Sequence, residues 1–366
     1  MGDNRIRVGI TLGDVNGIGP EVVVKAFSDV RMCELCTPVI YGPSKSLAFY
    51  KKGIDGADSF QFTLVKSAQD AKAKRINAVN CGEENITIEP GKATPGAGAA
   101  AVAALQAAVA DLKAGHIDII VTAPINKENV QCDGFRFTGH TEFFTSEYGG
   151  EPLMMMCSTL MKVGLATIHI PVSEVKQNID AGRIVSSLKR IRHSLISDFG
   201  FVQPRIAVLA LNPHAGDGGL IGDEEQTTIT PAIQQAVAEG VLAFGPFPAD
   251  GFFASAGYER YDGVLAMYHD QGLAPFKALT PDGVNFTAGL SVVRTSPDHG
   301  VAYDIAGQDK ADPASFREAV YMALDVYRNR KDYTEMTRNP LRHYEREKGA
   351  DISVKDLIPE QDTAEI

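Results

Sequence analysis

The chain has 366 residues, 44% of them hydrophobic, which is more than one ordinary single-core domain holds and points to two lobes. Its formal net charge is -11, which argues against a nucleic-acid partner, because a phosphate backbone needs a basic footprint. A local basic pocket for a small anion remains compatible with that balance. No apolar run approaches the ~20 residues of a membrane span. Met1 to Val8 lacks the apolar centre of a signal peptide. The cysteines (Cys33, Cys36, Cys81, Cys132, Cys157) are odd in number, and Cys33-x-x-Cys36 has no second pair to complete a zinc site. A cytoplasmic protein with reduced thiols is expected.

In chain order, short β-rich runs alternate with longer helical stretches, the α/β signature. Arg7–Leu12 reads as a strand, followed by a helix over Glu21–Val30 with Pro20 where a first turn tolerates it. Pro38–Tyr41 is a strand. Gly96–Ala114 is an alanine-rich helix that Gly115 stops. Strands are predicted over Ile117–Thr122, Lys162–Ile168, Arg205–Leu211 and Gly263–Tyr268. Helices are predicted from Ser173, over Asp180–Phe199 and over Glu224–Glu239. Asp312-Pro313 opens a last helix whose apolar positions Phe316, Ala319, Val320, Ala323 and Tyr327 share a face. The tail after Tyr333, with His343 to Lys348, is charged and reads as a peripheral extension.

Three of the eight histidines follow apolar strand-like runs: His169, His214 and His269. In open α/β sheets ligands bind beyond the carboxyl ends of the strands. Three imidazoles delivered there could hold a metal with open positions; each could equally hydrogen-bond within its own loop. His140, in Thr138-Gly139-His140-Thr141-Glu142, reads as a helix start or a substrate contact. His116, His193 and His343 read as surface residues. Gly13 to Glu21 is a glycine-rich strand-to-helix turn. It is either an anion cradle or a tight packing turn, and it lacks the GxGxxG pattern of a nicotinamide site. Lys277, Asn285 and Arg294 follow His269, and an arginine there could bind a phosphate or carboxylate in bidentate fashion.

Five segments resemble the 4-hydroxythreonine-4-phosphate dehydrogenases of pyridoxal phosphate synthesis. They are Gly13-Asp14 with Gly17-Ile18-Gly19-Pro20-Glu21; Thr138 to Glu142; Asn212-Pro213-His214-Ala215-Gly216 with Gly218-Gly219; Tyr268 to Leu273; and Arg294-Thr295-Ser296 with Asp298-His299-Gly300. The resemblance implies an isopropylmalate-dehydrogenase-like α/β fold with two lobes and the site in the cleft. On that reading residues 1–132 with 303–334 form the first lobe, 133–302 the second, and 335–366 a charged extension. It implies a homodimer with a shared active site, in which His169, His214 and His269 bind a divalent metal (Zn, Mg, Mn or Co). His140, Thr141, Lys277, Asn285 and Arg294 would contact the phosphorylated substrate. Lys277, Asp270 and Asp250 would be catalytic. Val15-Asn16 departs from the family's usual opening, and the tail exceeds its usual length.

The implied reaction is NAD- or NADP-dependent oxidation and decarboxylation of 4-phosphooxy-L-threonine to 3-amino-2-oxopropyl phosphate. The rivals are a dehydrogenase of a phosphorylated four-carbon sugar acid (threonate or erythronate phosphate), a metal-dependent hydrolase or lyase, and a silent binding protein.

Overall fold

The computed structural model describes residues 5–83, 85–132 and 135–341. The first stretch holds β1 (Arg7–Thr11), α1 (Gly19–Phe27), α2 (Met32–Leu35), β2 (Thr37–Gly42), α3 (Ser44–Lys52), β3 (Phe62–Val65), β4 (Ile76–Asn80), α4 (Pro95–Lys113) and β5 (Ile119–Thr122). The middle holds α5 (His140–Tyr148), β6 (Leu153–Cys157), β7 (Lys162–Leu165), α6 (Val175–Asn178), α7 (Ala181–Ser197), β8 (Arg205–Leu209), α8 (Thr230–Ala238), β9 (Leu242–Phe247), α9 (Ala249–Ala254) and β10 (Gly263–Ala266). The chain closes with α10 (His269–Leu279), β11 (Val284–Ala288), β12 (Arg294–Pro297) and α11 (Ala314–Thr337).

All the strands join one sheet in the order β3-β4-β2-β1-β5-β12-β11-β6-β7-β10-β8-β9. From β3 to β12 the pairings are parallel, and so are those from β7 to β9. Between the two blocks β12, β11, β6 and β7 pair antiparallel. An odd number of reversals makes the two parallel blocks run in opposite senses. The expected α/β architecture is the one found. Helices cover the sheet, so its central strands are apolar throughout: Ile119, Ile120 and Val121 on β5, and Val264, Leu265 and Ala266 on β10, are all buried.

The ends of the helices follow local chemistry. Thr94 caps α4 by accepting the Ala97 N–H, Pro95 opens it, and Gly115 follows it with φ +71°. Asp180 caps α7 through the Arg183 N–H at 2.8 Å. The proposed cap of α11 moves by one residue: Pro313 is the cap position, and Asp312 accepts the Ala314 N–H at 2.8 Å. Its predicted face is right, with Phe316, Ala319, Val320 and Ala323 buried. α11 ties the two blocks, since Tyr327 donates to Asp118 on one side and Arg330 to Asp198 on the other. α11 reaches Thr337, and residues 342–366, with His343 and most of the proposed extension, lie outside the described residues.

Several expectations need correction. α4 is, by length and composition, long and apolar enough to cross a membrane, contrary to the first reading. Ala100, Ala101, Ala104, Leu105 and Ala108 bury its inner face against the sheet, as in a core helix. The helix expected from Glu224 begins as a π turn, Glu225–Ile229, before α8. Pro231 lacks the N–H that would bond Thr227, which accounts for the irregular ladder. The strands β7, β8 and β10 end two to three residues early, where the chain turns toward the site.

Candidate active site

Arg294 opens β12 and pairs with Ile120 of β5, which places it in the middle of the sheet. Its side chain is 2% exposed. The guanidinium Nε and Nη2 donate to Thr122 Oγ1 at 3.1 and 2.8 Å, and Nη2 also donates to Ser296 Oγ at 2.9 Å. Nη1 reaches Thr287 Oγ1 at 3.4 Å. Every one of these partners is an uncharged hydroxyl. Burial pulls the guanidinium down to about 10, with Glu142 opposing the shift. A buried charge without a counter-ion is costly, so the place calls for an anion.

A cavity of about 250 Å³ opens beside it. The sequence-predicted residues His140, Thr141, His169, Lys277, Asn285 and Arg294 all line it. His140 opens α5, and burial pushes its imidazole well below the ordinary value, with Arg294 and Lys127 adding to the shift. Its Nε2 is buried without a partner, as is Asn285 Oδ1 on β11. Lys277, on the last turn of α10, pairs with Asp298 Oδ1 at 2.7 Å. Burial raises the Asp298 carboxyl even against Lys277.

The other predicted site residues stand apart. The His269 ring lies 6.0 Å from the His169 ring, centroid to centroid, and its Nδ1 is 2.7 Å from Asp270 Oδ1. Asp270 itself is exposed. His214 and Asp250 line a neighbouring cavity of about 540 Å³ with Asn212, Tyr268 and Gln271. Among the described residues no three His, Cys, Asp or Glu side chains stand close enough to hold a metal ion. The three predicted ligands do leave one sheet edge, because β7, β10 and β8 are parallel neighbours. Two strand spacings of roughly 4.8 Å each separate the strands of the outer pair, and His214 lines a different cavity from His169. That residue also sits on an unusual loop: His214, Ala215, Gly216, Asp217 and Gly218 all have positive φ. Buried Glu225 ties the loop base by accepting the Leu211 and Asn212 N–H groups at 2.8 and 2.7 Å.

The glycine-rich turn after β1 is a packing turn. Asp14 is buried and accepts from Asn16 N, Asn129 Nδ2 and Tyr303 Oη at 2.9, 2.7 and 2.7 Å, leaving no open anion cradle. Gly13 has φ +63°, and a Cβ there would overlap the Pro124 carbonyl oxygen. Gly13→Ala is therefore expected to cost about 1–3 kcal/mol. Chemical denaturation checks it; an unchanged midpoint would contradict the packing described.

Sequence reasoning assigned no role to Lys127, Thr122, Ser296, Asp298 or His299. Ser296, Asp298 and His299 lay inside a quoted motif, which was the available signal. Lys127 and Thr122 carried none.

The profile of the family described as Pyridoxal phosphate biosynthetic protein PdxA matches residues 34–323. The chain belongs to the PdxA family. A relative named 4-hydroxythreonine-4-phosphate dehydrogenase, from Bacteroides thetaiotaomicron, is 48% identical over 365 residues, covering 98% of this chain and 100% of its own. A relative from Oceanobacillus iheyensis, provisionally named a D-threonate 4-phosphate dehydrogenase, is 38% identical over 87% of this chain and 97% of its own. The crystal structure of a 4-hydroxythreonine-4-phosphate dehydrogenase from Klebsiella pneumoniae superposes with a TM-score of 0.77 at 32% identity, covering 89% of this chain and 99% of that one. The PdxA match contains every residue of the cavity around Arg294.

Proposed function

We propose that this chain oxidises 4-phosphooxy-L-threonine at its 3-hydroxyl with NAD or NADP, giving a β-keto acid that loses carbon dioxide to form 3-amino-2-oxopropyl phosphate. The observation that carries the reading is Arg294: a buried guanidinium bonded only to hydroxyls, facing a cavity with unpartnered polar atoms. The phosphate supplies the missing anion, with Arg294, His140 and Thr141 holding its oxygens. Lys277, half exposed and paired with Asp298, is placed to relay the hydroxyl proton. No residue is assigned to the nicotinamide, and the glycine-rich turn after β1 is taken up by the bonds of its buried Asp14.

The imidazoles of His169, His214 and His269 suit a divalent cation as donors, and burial keeps His169 on the neutral side. Held by them, such an ion would supply Lewis acidity at the hydroxyl oxygen. We place His214 in the shared site from a second copy. Its place two strands from β7 and in a different cavity from His169 supports this, as do exposed Leu220 and Ile221 beside its loop. The molecule acts, on this reading, as a cytoplasmic homodimer. Asp250 and Asp270 would then act at the shared edge rather than beside Lys277.

The relative from Oceanobacillus iheyensis favours one second reading, oxidation of a phosphorylated threonate or erythronate, which needs the same anion site. Purified protein with NAD and a divalent cation should form NADH from the phosphorylated acid and none from its dephosphorylated form. Equal rates with both would remove the proposal, and turnover without cofactor reduction would favour a hydrolase or lyase. Lys277→Ala should lower kcat more than it raises KM in the same assay; an unchanged kcat would deny the relay.

A further inference from the structure

One buried imidazole in the cavity has no role in the reading above. His299 follows β12 and lines the cavity beside Lys277 and Asp298. Its Nδ1 lies 3.1 Å from the Gly300 carbonyl oxygen. A carbonyl oxygen only accepts, so Nδ1 carries the hydrogen and donates it. In a neutral imidazole the other nitrogen is then a bare lone pair. That atom, Nε2, is buried and has no partner. Burial lowers the basicity of the ring, with Lys277 adding to the shift and Gly300 and Asp298 opposing it, which favours the neutral form.

A phosphate oxygen arriving at this lone pair would set one acceptor against another. The contact becomes favourable only with a hydrogen between them. The charges of the cavity point the same way. Arg294, Lys277 and Lys127 contribute three positive charges, and Asp298 and Glu142 two negative ones, with His140 and His169 pushed toward their neutral forms. A phosphate monoester carries about -1.5 to -2 near neutral pH. The cavity's single net positive charge leaves that anion short of compensation by up to about one unit.

We propose that His299 is a further substrate-binding residue whose Nε2 takes up one proton from solvent as the phosphate group enters the cavity, forming an N–H that donates to a phosphate oxygen. The inference rests on the reading of this cavity as the phosphate site. By linkage, phosphate affinity falls as pH rises above neutrality, because the complex holds a proton that the free site lacks. His140 makes no such demand, since no bond fixes its tautomer and its Nε2 can already carry hydrogen.

The test is calorimetry of inorganic phosphate binding to the full chain at about pH 7.5, in two buffers of different ionisation enthalpy. The wild-type chain is expected to take up about one proton per phosphate bound. His299→Gln, whose amide donates an N–H without titrating, should bind phosphate within about tenfold of wild type and take up none. Uptake by the variant equal to wild type, or no uptake by wild type, would overturn the proposal. Should the variant fail to fold, carbon NMR of the wild-type His299 ring decides: phosphate should move Cε1 to its cationic position, and an unmoved signal refutes the idea. Phosphate binding with uptake at His299 but no NAD reduction would sink the proposed reaction and keep this inference; NAD reduction without such uptake would do the reverse.

Discussion

Arg294→Met should raise KM for the phosphorylated acid by about a hundred- to a few-thousand-fold, with little loss of thermal stability. The loss of affinity follows from removing one member of a desolvated charge pair, which costs about 3–5 kcal/mol, at roughly tenfold per 1.4 kcal/mol. Stability is expected to change little or to rise. In the empty chain Arg294 is a buried cation held only by Thr122, Thr287 and Ser296 hydroxyls. Exchanging a buried ion for an apolar side chain of similar volume is often neutral or stabilising. A residue that served the fold would show the opposite pattern, a lower melting temperature with kinetics nearly intact. Steady-state kinetics and thermal unfolding of one variant separate the two.

The second large effect concerns the histidines. His169→Ala, His269→Ala and His214→Ala should each abolish stoichiometric metal binding and activity while the chain still folds. His169 and His269 lie together in one chain, whereas His214 lines a different cavity. Mixing His214→Ala with His169→Ala chains under subunit exchange should therefore regenerate one intact site per mixed dimer. Mixing His169→Ala with His269→Ala should regenerate none, because each mixed dimer then lacks one member of the pair at both sites. Rescue in the second mixture and not the first would reassign the shared ligand. Full metal content in all three variants would remove the metal site altogether.

The residues that were legible in the sequence are those whose local environment is also their tertiary one. Val8–Leu12, Ile119–Thr122 and Gly263–Met267 are buried on both faces of the sheet, so they read as nearly continuous apolar runs. The face of α11 shows helical spacing for the same reason. β11 and β12 went unread because Asn285, Thr287, Arg294 and Ser296 interrupt their apolar pattern. Those polar residues serve the cavity, so the feature that hid the strands is the one that makes them functional. β3 was missed because it lies at the sheet edge and is only partly buried.

The site divides in a similar way. His140, Thr141, His169, Lys277, Asn285 and Arg294 came from the family motifs and meet in one cavity. Spacing alone would not have joined them, since they come from α5, β11, β12, α10 and the loop after β7. Strand-end placement put His214 at the same edge as His169 and His269, but the strand count between it and His169 appears only in the sheet order. His299 gave no signal of its own, because its importance lies in the tautomer that Gly300 imposes.

On the proposed reading the cavity binds a phosphorylated, aminated hydroxy acid and the chain oxidises it. The direct measurement is the rate of NAD reduction by the purified chain with 4-phosphooxy-L-threonine and, in parallel, with 4-phosphothreonate, carbon dioxide release being followed in both. A higher kcat/KM is expected for the aminated acid, with one carbon dioxide released per NADH formed. A higher kcat/KM for the acid without the amine, or reduction of NAD by neither, would contradict it.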